Sequence, residues 1–249
     1  MWAATFLSIG AAYGIIRWLT DGSKRDLIFG LLAALGVVAT VSRGAVLALG
    51  LALLTGILCW AFSRVGKSIG RTLLLCLGGV AGIFAVIQFS GLLERGGSTE
   101  ALQSNMARDR AWTLSMDAAA RHWPLGSGPG TSSLATAVVD DKTVIENSGL
   151  QFLVSTGGIG LALVLVLIAA AGIASMLRRD YASLAALVAY VVAVAGYNAI
   201  DAKRSMHVLF FCVIAMAVYG VNNRDQSSGD TDVSFDDRRI PERLSVGKS

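Results

Sequence analysis

The chain has 249 residues, 54% hydrophobic and 15% charged, with a net charge of +4 and a mean hydropathy of +0.63. An ordinary soluble domain is roughly 25% charged, so the composition argues against a soluble globular fold. It argues against disorder more firmly, because the 28 glycines are spread through long apolar stretches and not gathered in a polar repeat. The class that remains is all-α, a polytopic bundle of transmembrane helices.

The charge-free intervals test this class. They run over 1–16, 27–42, 44–63, 72–93, 147–177, 181–200 and 205–223. A helix needs about 17–25 apolar residues to cross a hydrocarbon core, so each interval is near or above one crossing, with the first two slightly short. Residues 27–63 hold a single charge, Arg43, and divide there into two short spans. Seven spans are therefore expected.

Basic residues set the orientation. The short connections with Lys24 and Arg25, with Arg64, Lys67 and Arg71, and with Arg178 and Arg179 are densely positive, which assigns them to the cytoplasm. Alternation then gives four spans in 1–92 with the Arg43 turn outside, an exterior (periplasmic) loop over 93–146, three spans in 147–221 and a cytoplasmic tail over 222–249. The Asp201–Arg204 turn falls outside. The expected location is the cytoplasmic (inner) membrane, with the lipid bilayer as the first partner. Met1 falls outside with no basic stretch ahead of the first apolar run, so upstream spans are expected to precede this segment.

Cys59, Cys76 and Cys212 lie within spans and make no CxxC or Cys/His pattern, which supports neither a disulfide framework nor a metal site. The basic balance comes from the cytoplasmic connections and lacks interleaved aromatics, so it reads as topology and no nucleic-acid partner is expected. The polar, nearly charge-balanced tail has too little apolar surface to fold alone.

The exterior loop is the most informative segment. Ala101 to Arg121 has good helix propensity and predicts a helix ending before Pro124, with Arg108, Trp112 and Met116 on one face. A helix of this kind caps or lies on the membrane, with Trp112 and Trp123 at headgroup depth. Pro124-Leu125-Gly126-Ser127-Gly128-Pro129-Gly130 then combines fixed turns with little side-chain bulk, so that another chain or a ligand can approach closely. Glu146-Asn147-Ser148-Gly149-Leu150-Gln151 places a carboxylate and amides at the mouth of the fifth span, and Gln151 sits one turn after Asn147, so both can face one cavity.

Together these elements resemble the O-antigen ligase and O-antigen polymerase (Wzy-like) superfamily. The resemblance rests on Thr40-Val41-Ser42-Arg43-Gly44-Ala45, on Arg108 four residues before Trp112, on the Pro124 to Gly130 turn, and on Asn147 through Leu153 leading into Thr156-Gly157-Gly158-Ile159-Gly160-Leu161. It covers roughly residues 27–175 and is similar to the C-terminal portion of such proteins. It implies an inverting glycosyltransferase without metal or cofactor, which moves a glycan from an undecaprenyl-diphosphate donor to a glycan or lipid acceptor at the outer face. The alternatives are an inactive or partial fragment of such an enzyme, or a solute transporter.

Residue chemistry supplies candidates for each role. A diphosphate leaving group needs its charge neutralised, and arginine holds phosphate oxygens bidentately while staying charged. Arg43, alone in 37 apolar residues, is the first candidate, against a snorkelling role at a turn; Arg108 and Arg110 follow. Glu146 stands where the family's ligases usually carry His before Asn, and with Asn147 it is the catalytic candidate, as general base or acceptor-orienting group; its simpler role is a helix N-terminal acid. Gly128, Gly130 and Gln151 are candidates for the loop and groove. His122 and His207 are alternative bases whose plainer reading is polar surface, and Asp201, Lys203 and Arg204 read as a solvated turn.

Overall fold

The computed structural model describes residues 2–40, 42–63, 99–137, 147–195 and 204–220. The expected fourth span at 72–93, Glu146, the 201–203 turn and the 222–249 tail lie outside these residues. Among the described residues every regular element is an α-helix: α1 (Trp2–Asp21), α2 (Lys24–Ala39), α3 (Arg43–Phe62), α4 (Thr99–Arg121), α5 (Ser132–Ala137), α6 (Ser148–Leu177), α7 (Tyr181–Ala195) and α8 (Arg204–Tyr219).

Polar residues at the edges of the apolar intervals start these helices. The Ser23 and Ser42 hydroxyls accept from the amides of Asp26 and Ala45, each at 3.4 Å. Asn147 Oδ1 accepts from Leu150 N at 3.1 Å, and Asp180 Oδ1 from Ser183 N at 3.1 Å. Each side chain satisfies one of the first-turn N–H groups that a helix cannot bond internally. α1 continues past the charge-free interval through Arg17 to Asp21. There Arg17 donates to Tyr13 Oη at 2.6 Å and pairs with Asp21 at 3.6 Å and with Asp26 of α2 at 3.5 Å.

Small side chains set how closely the helices meet. A Cβ on Gly14 would strike the α2 backbone at Asp26 and Gly30, and one on Gly30 would strike Ile15 N, so α1 and α2 touch backbone to backbone. The main core lies among α1, α3, α7 and α8, where Ala12, Ile16, Ala52, Ala185, Ala189, Tyr190 and Met206 are buried together. α6 and α8 run parallel, tied near their C-termini by Ser175 Oγ donating to Ala217 O at 3.0 Å. Near the start of α8, Tyr190 Oη of α7 donates to Met206 O at 3.1 Å.

Two stretches, Gly44–Phe62 within α3 and the whole of α6, are long and apolar enough to cross a membrane. The apolar α7 and α8 are shorter, at 15 and 16 residues. Large apolar side chains stand exposed along α2 (Ile28, Phe29, Leu32, Leu35) and α6 (Leu163, Leu165, Val166, Ile173), while Thr5, Ser8, Ser175 and Ser183 are buried. α4 forms where a helix is expected and ends at Arg121.

Candidate functional site

The site is built where the 122–131 loop meets α6. α6 is not continuous: Gly157 has φ 68° and ψ −171°, a conformation open essentially to glycine alone. The beginning of α6, up to Thr156, is thereby set off from Gly158–Leu177, which is about 30 Å long at 1.5 Å per residue and matches a hydrocarbon core by itself. The charge-free interval 147–177 is thus a short mouth segment and a span, not one straight helix.

A break frees carbonyls that would otherwise accept within the helix, and the loop fills them. Ser127 N donates to Val154 O at 2.8 Å, Gly128 N donates to Ser155 O at 2.9 Å, and Ile159 N donates back to Pro124 O at 3.4 Å. Ser127 Oγ adds a bond to Val154 O at 3.0 Å and another with Thr131 Oγ1 at 2.8 Å. Non-helical backbone next to an apolar span is tolerated only when its polar groups are satisfied by other protein groups or by water; here the loop's amides do it. The glycines permit the approach. A Cβ on Gly157 would overlap Pro124 O, one on Gly126 would overlap Gly157 N and Ser155 O, and one on Gly158 would overlap the Trp123 ring. The chain that the small-residue loop admits is therefore α6 itself.

Beside this junction lies a small open cleft of about 90 Å³, lined by Pro129, Gly130, Gln151, Phe152, Ser155, Thr156 and His207. Gln151 is only 2% exposed. The Thr156 hydroxyl donates to Phe152 O at 2.8 Å and keeps its lone pairs for a visitor.

The structure brings several expected residues together. Gly128 is bonded to α6, Gly130 and Gln151 share the cleft, and Asn147 caps α6 one turn before Gln151, whose amide donates to Asn147 O at 3.0 Å. Arg110 is on α4 with an exposed side chain. Arg43 opens α3 and Arg108 lies in α4, but their side chains, like Glu146, are outside the described residues. His122 is exposed after α4. No family model, curated protein or solved structure matches the chain. The chemistry of the site therefore has to be argued from these residues.

His207, Ser155 and Thr156 gain weight that sequence reading did not give them. His207 sits in the first turn of α8, far along the chain from the loop, and only the parallel packing of α6 and α8 brings it to Gln151. The break at Gly157 did carry a sequence signal. Paired glycines cost a helix roughly 1 kcal/mol each relative to alanine, and the 147–177 interval exceeds the length one crossing needs.

Proposed function

We propose that the chain is a membrane-embedded glycan polymerase or ligase, of the O-antigen ligase-like kind, with seven spans in the cytoplasmic membrane and its C-terminal tail in the cytoplasm. The arrangement of side chains favours a lipid surround: large apolar groups point outward from α2 and α6 while serines and threonines are buried, which suits a solvent as apolar as leucine. One observation carries the catalytic reading. Two of the elements behind the resemblance, the Pro124 to Gly130 turn and the segment from Asn147 to Leu161, are hydrogen-bonded to each other at a helix break and border one cleft.

In this reading Arg43, Arg108 and Arg110 hold the diphosphate of an undecaprenyl-linked donor, and their charge offsets that which develops as the glycosidic C–O bond breaks. Asn147 shapes the mouth of α6, and Glu146 acts on the acceptor hydroxyl. The acceptor displaces the lipid diphosphate from the anomeric carbon with inversion, so no metal or cofactor enters the scheme.

Complementation tests it. The chain is expressed in a strain lacking its own polymerase or ligase, beside Arg43→Ala, and polymer length is followed on a gel. Restored polymer that is lost with Arg43→Ala is the expected result. No polymer from a chain that reaches the membrane would overturn the reading.

A further inference from the structure

Resting on the transferase reading, we propose that the cleft between the start of α6 and the first turn of α8 receives the acceptor sugar, and that His207 removes the proton from its attacking hydroxyl. The argument begins with the lining. A sugar offers hydroxyls and a weakly apolar C–H face. Thr156 presents a hydroxyl and Phe152 a ring, Pro129 and Gly130 complete a mostly apolar lining, and the buried Gln151 and Ser155 border it from within the protein. Pockets that fix a ligand commonly combine apolar surface with a few converging polar groups. The cleft is small and open, which suits one ring of a longer glycan entering from outside.

Among the described residues, His207 is the only titratable side chain in that lining. Imidazole is the one side chain whose ordinary pKa lets it accept a proton near neutral pH and release it again. Its backbone is held firmly. Met206, immediately before it, is fully buried and receives the Tyr190 hydroxyl bond, and the other end of α8 is tied to α6 through Ser175. Among the described residues no hydrogen bond engages the His207 ring. Gln151 is held on α6 through the Asn147 cap and the break that the loop stabilises, so both sides of the cleft are preorganised.

The step balances without a further reagent. The acceptor O–H proton passes to a ring nitrogen of His207, the oxygen forms a bond to the anomeric carbon, and the bond from that carbon to the phosphate oxygen breaks. Undecaprenyl diphosphate leaves with the electron pair, and His207 later returns its proton to water. On this assignment the proton passes to His207 and not to Glu146.

The test uses the full chain in proteoliposomes, with undecaprenyl-diphosphate-linked oligosaccharide extracted from the native membrane as the probe. Glycan growth and release of undecaprenyl diphosphate are followed together. His207→Gln keeps size and hydrogen bonding but accepts no proton, and it is expected to lower transfer about 100-fold or more. Transfer within threefold of the unaltered protein would overturn the proposal and leave the transferase reading standing. No transfer by the unaltered protein would overturn both.

A second measurement covers the case in which His207→Gln does not accumulate. The chain has 2 histidines, so on a His122→Gln background that retains transfer His207 is the one histidine diethylpyrocarbonate can acylate, and mass mapping separates it from acylated lysine or tyrosine. Loss of transfer that hydroxylamine reverses supports the proposal. Retained transfer after complete acylation, shown by mass, overturns it, and so does an imidazole that the reagent cannot reach.

Discussion

The bundle of α1, α3 and α7 and the junction of the 122–131 loop with α6 are held by different physics. In the bundle, helices complete their own hydrogen bonds and meet through Ala52, Ala185, Ala189 and similar residues, so cohesion comes from close contact distributed over many atoms. At the junction, α6 gives up helical geometry at Gly157, and three backbone bonds to one loop take its place. The bundle can absorb a lost methyl group, whereas the junction depends on a few specific atoms. The proposed transferase site lies in the second kind of region, where a binding geometry can be preorganised in one defined arrangement.

The most severe way to break this comparison is Gly157→Ala. The new Cβ would sit on Pro124 O in a backbone conformation that alanine disfavours, with an expected cost of about 3–5 kcal/mol. Gly172→Ala in the same helix is the matched control. Its Cβ would meet only Leu184 and Leu187, at 3.8 Å, and the change should stabilise by about 0.5–1 kcal/mol through backbone entropy. Thermal unfolding in detergent reads both. Equal midpoints would mean that the junction is no more specific than any other turn of α6.

Gly30→Ala tests the edge of the bundle, where α1 meets α2 backbone to backbone. Its Cβ would come 2.8 Å from Ile15 N, so α1 and α2 must separate, at a cost of about 1–3 kcal/mol. Because the strain spreads over two whole helices, the midpoint should fall while, on the transferase reading proposed above, polymer synthesis at the remaining folded fraction stays unchanged. A selective loss of synthesis with an unchanged midpoint would contradict the division between the regions.

Ser127→Ala is milder. It removes the bonds from Oγ to Val154 O and Thr131, yet the Ser127 amide still donates to Val154 O, so about 1 kcal/mol is expected. Tyr190→Phe is the counterpart in the bundle, losing one buried bond to Met206 O, again at about 1 kcal/mol. The comparison sharpens if the two midpoint shifts agree but only the junction variant alters synthesis.

Helix positions were legible in the sequence because charges punctuate apolar runs, while the caps at Ser23, Ser42, Asn147 and Asp180 that fix each start came from the structure. The α4 helix was legible through propensity followed by Pro124. The seating of the loop on α6 was only half legible. Its glycines announced close approach, but not that the approaching chain was Val154 to Gly157. His207 was legible only as an alternative base whose plainer reading is polar surface, since nothing local to Ser205-Met206-His207 distinguishes it from the start of any helix. Its place follows from long-range packing of α8 along α6, which periodicity does not encode. Equally, α1 could not be ended correctly from charge alone, because Arg17 is carried inside the helix by partners on both α1 and α2.

Those partners give the smallest expected effect. Arg17 pairs with Asp21 at 3.6 Å and Asp26 at 3.5 Å, its side chain is 29% exposed, and the two carboxylates are 34% and 31% exposed. Solvent screening at such exposure leaves a network worth about 0.5–1 kcal/mol. Arg17→Met keeps the aliphatic length over Tyr13 and removes the charge together with the hydrogen bond to Tyr13 Oη, so the midpoint should fall slightly, and less at high salt because screening already weakens the pairs. A drop of several kcal/mol that persists in high salt would place Arg17 among the essential contacts of the bundle. Cohesion there would then depend on one polar residue, as it does at the junction, and the two regions would differ in composition but not in kind.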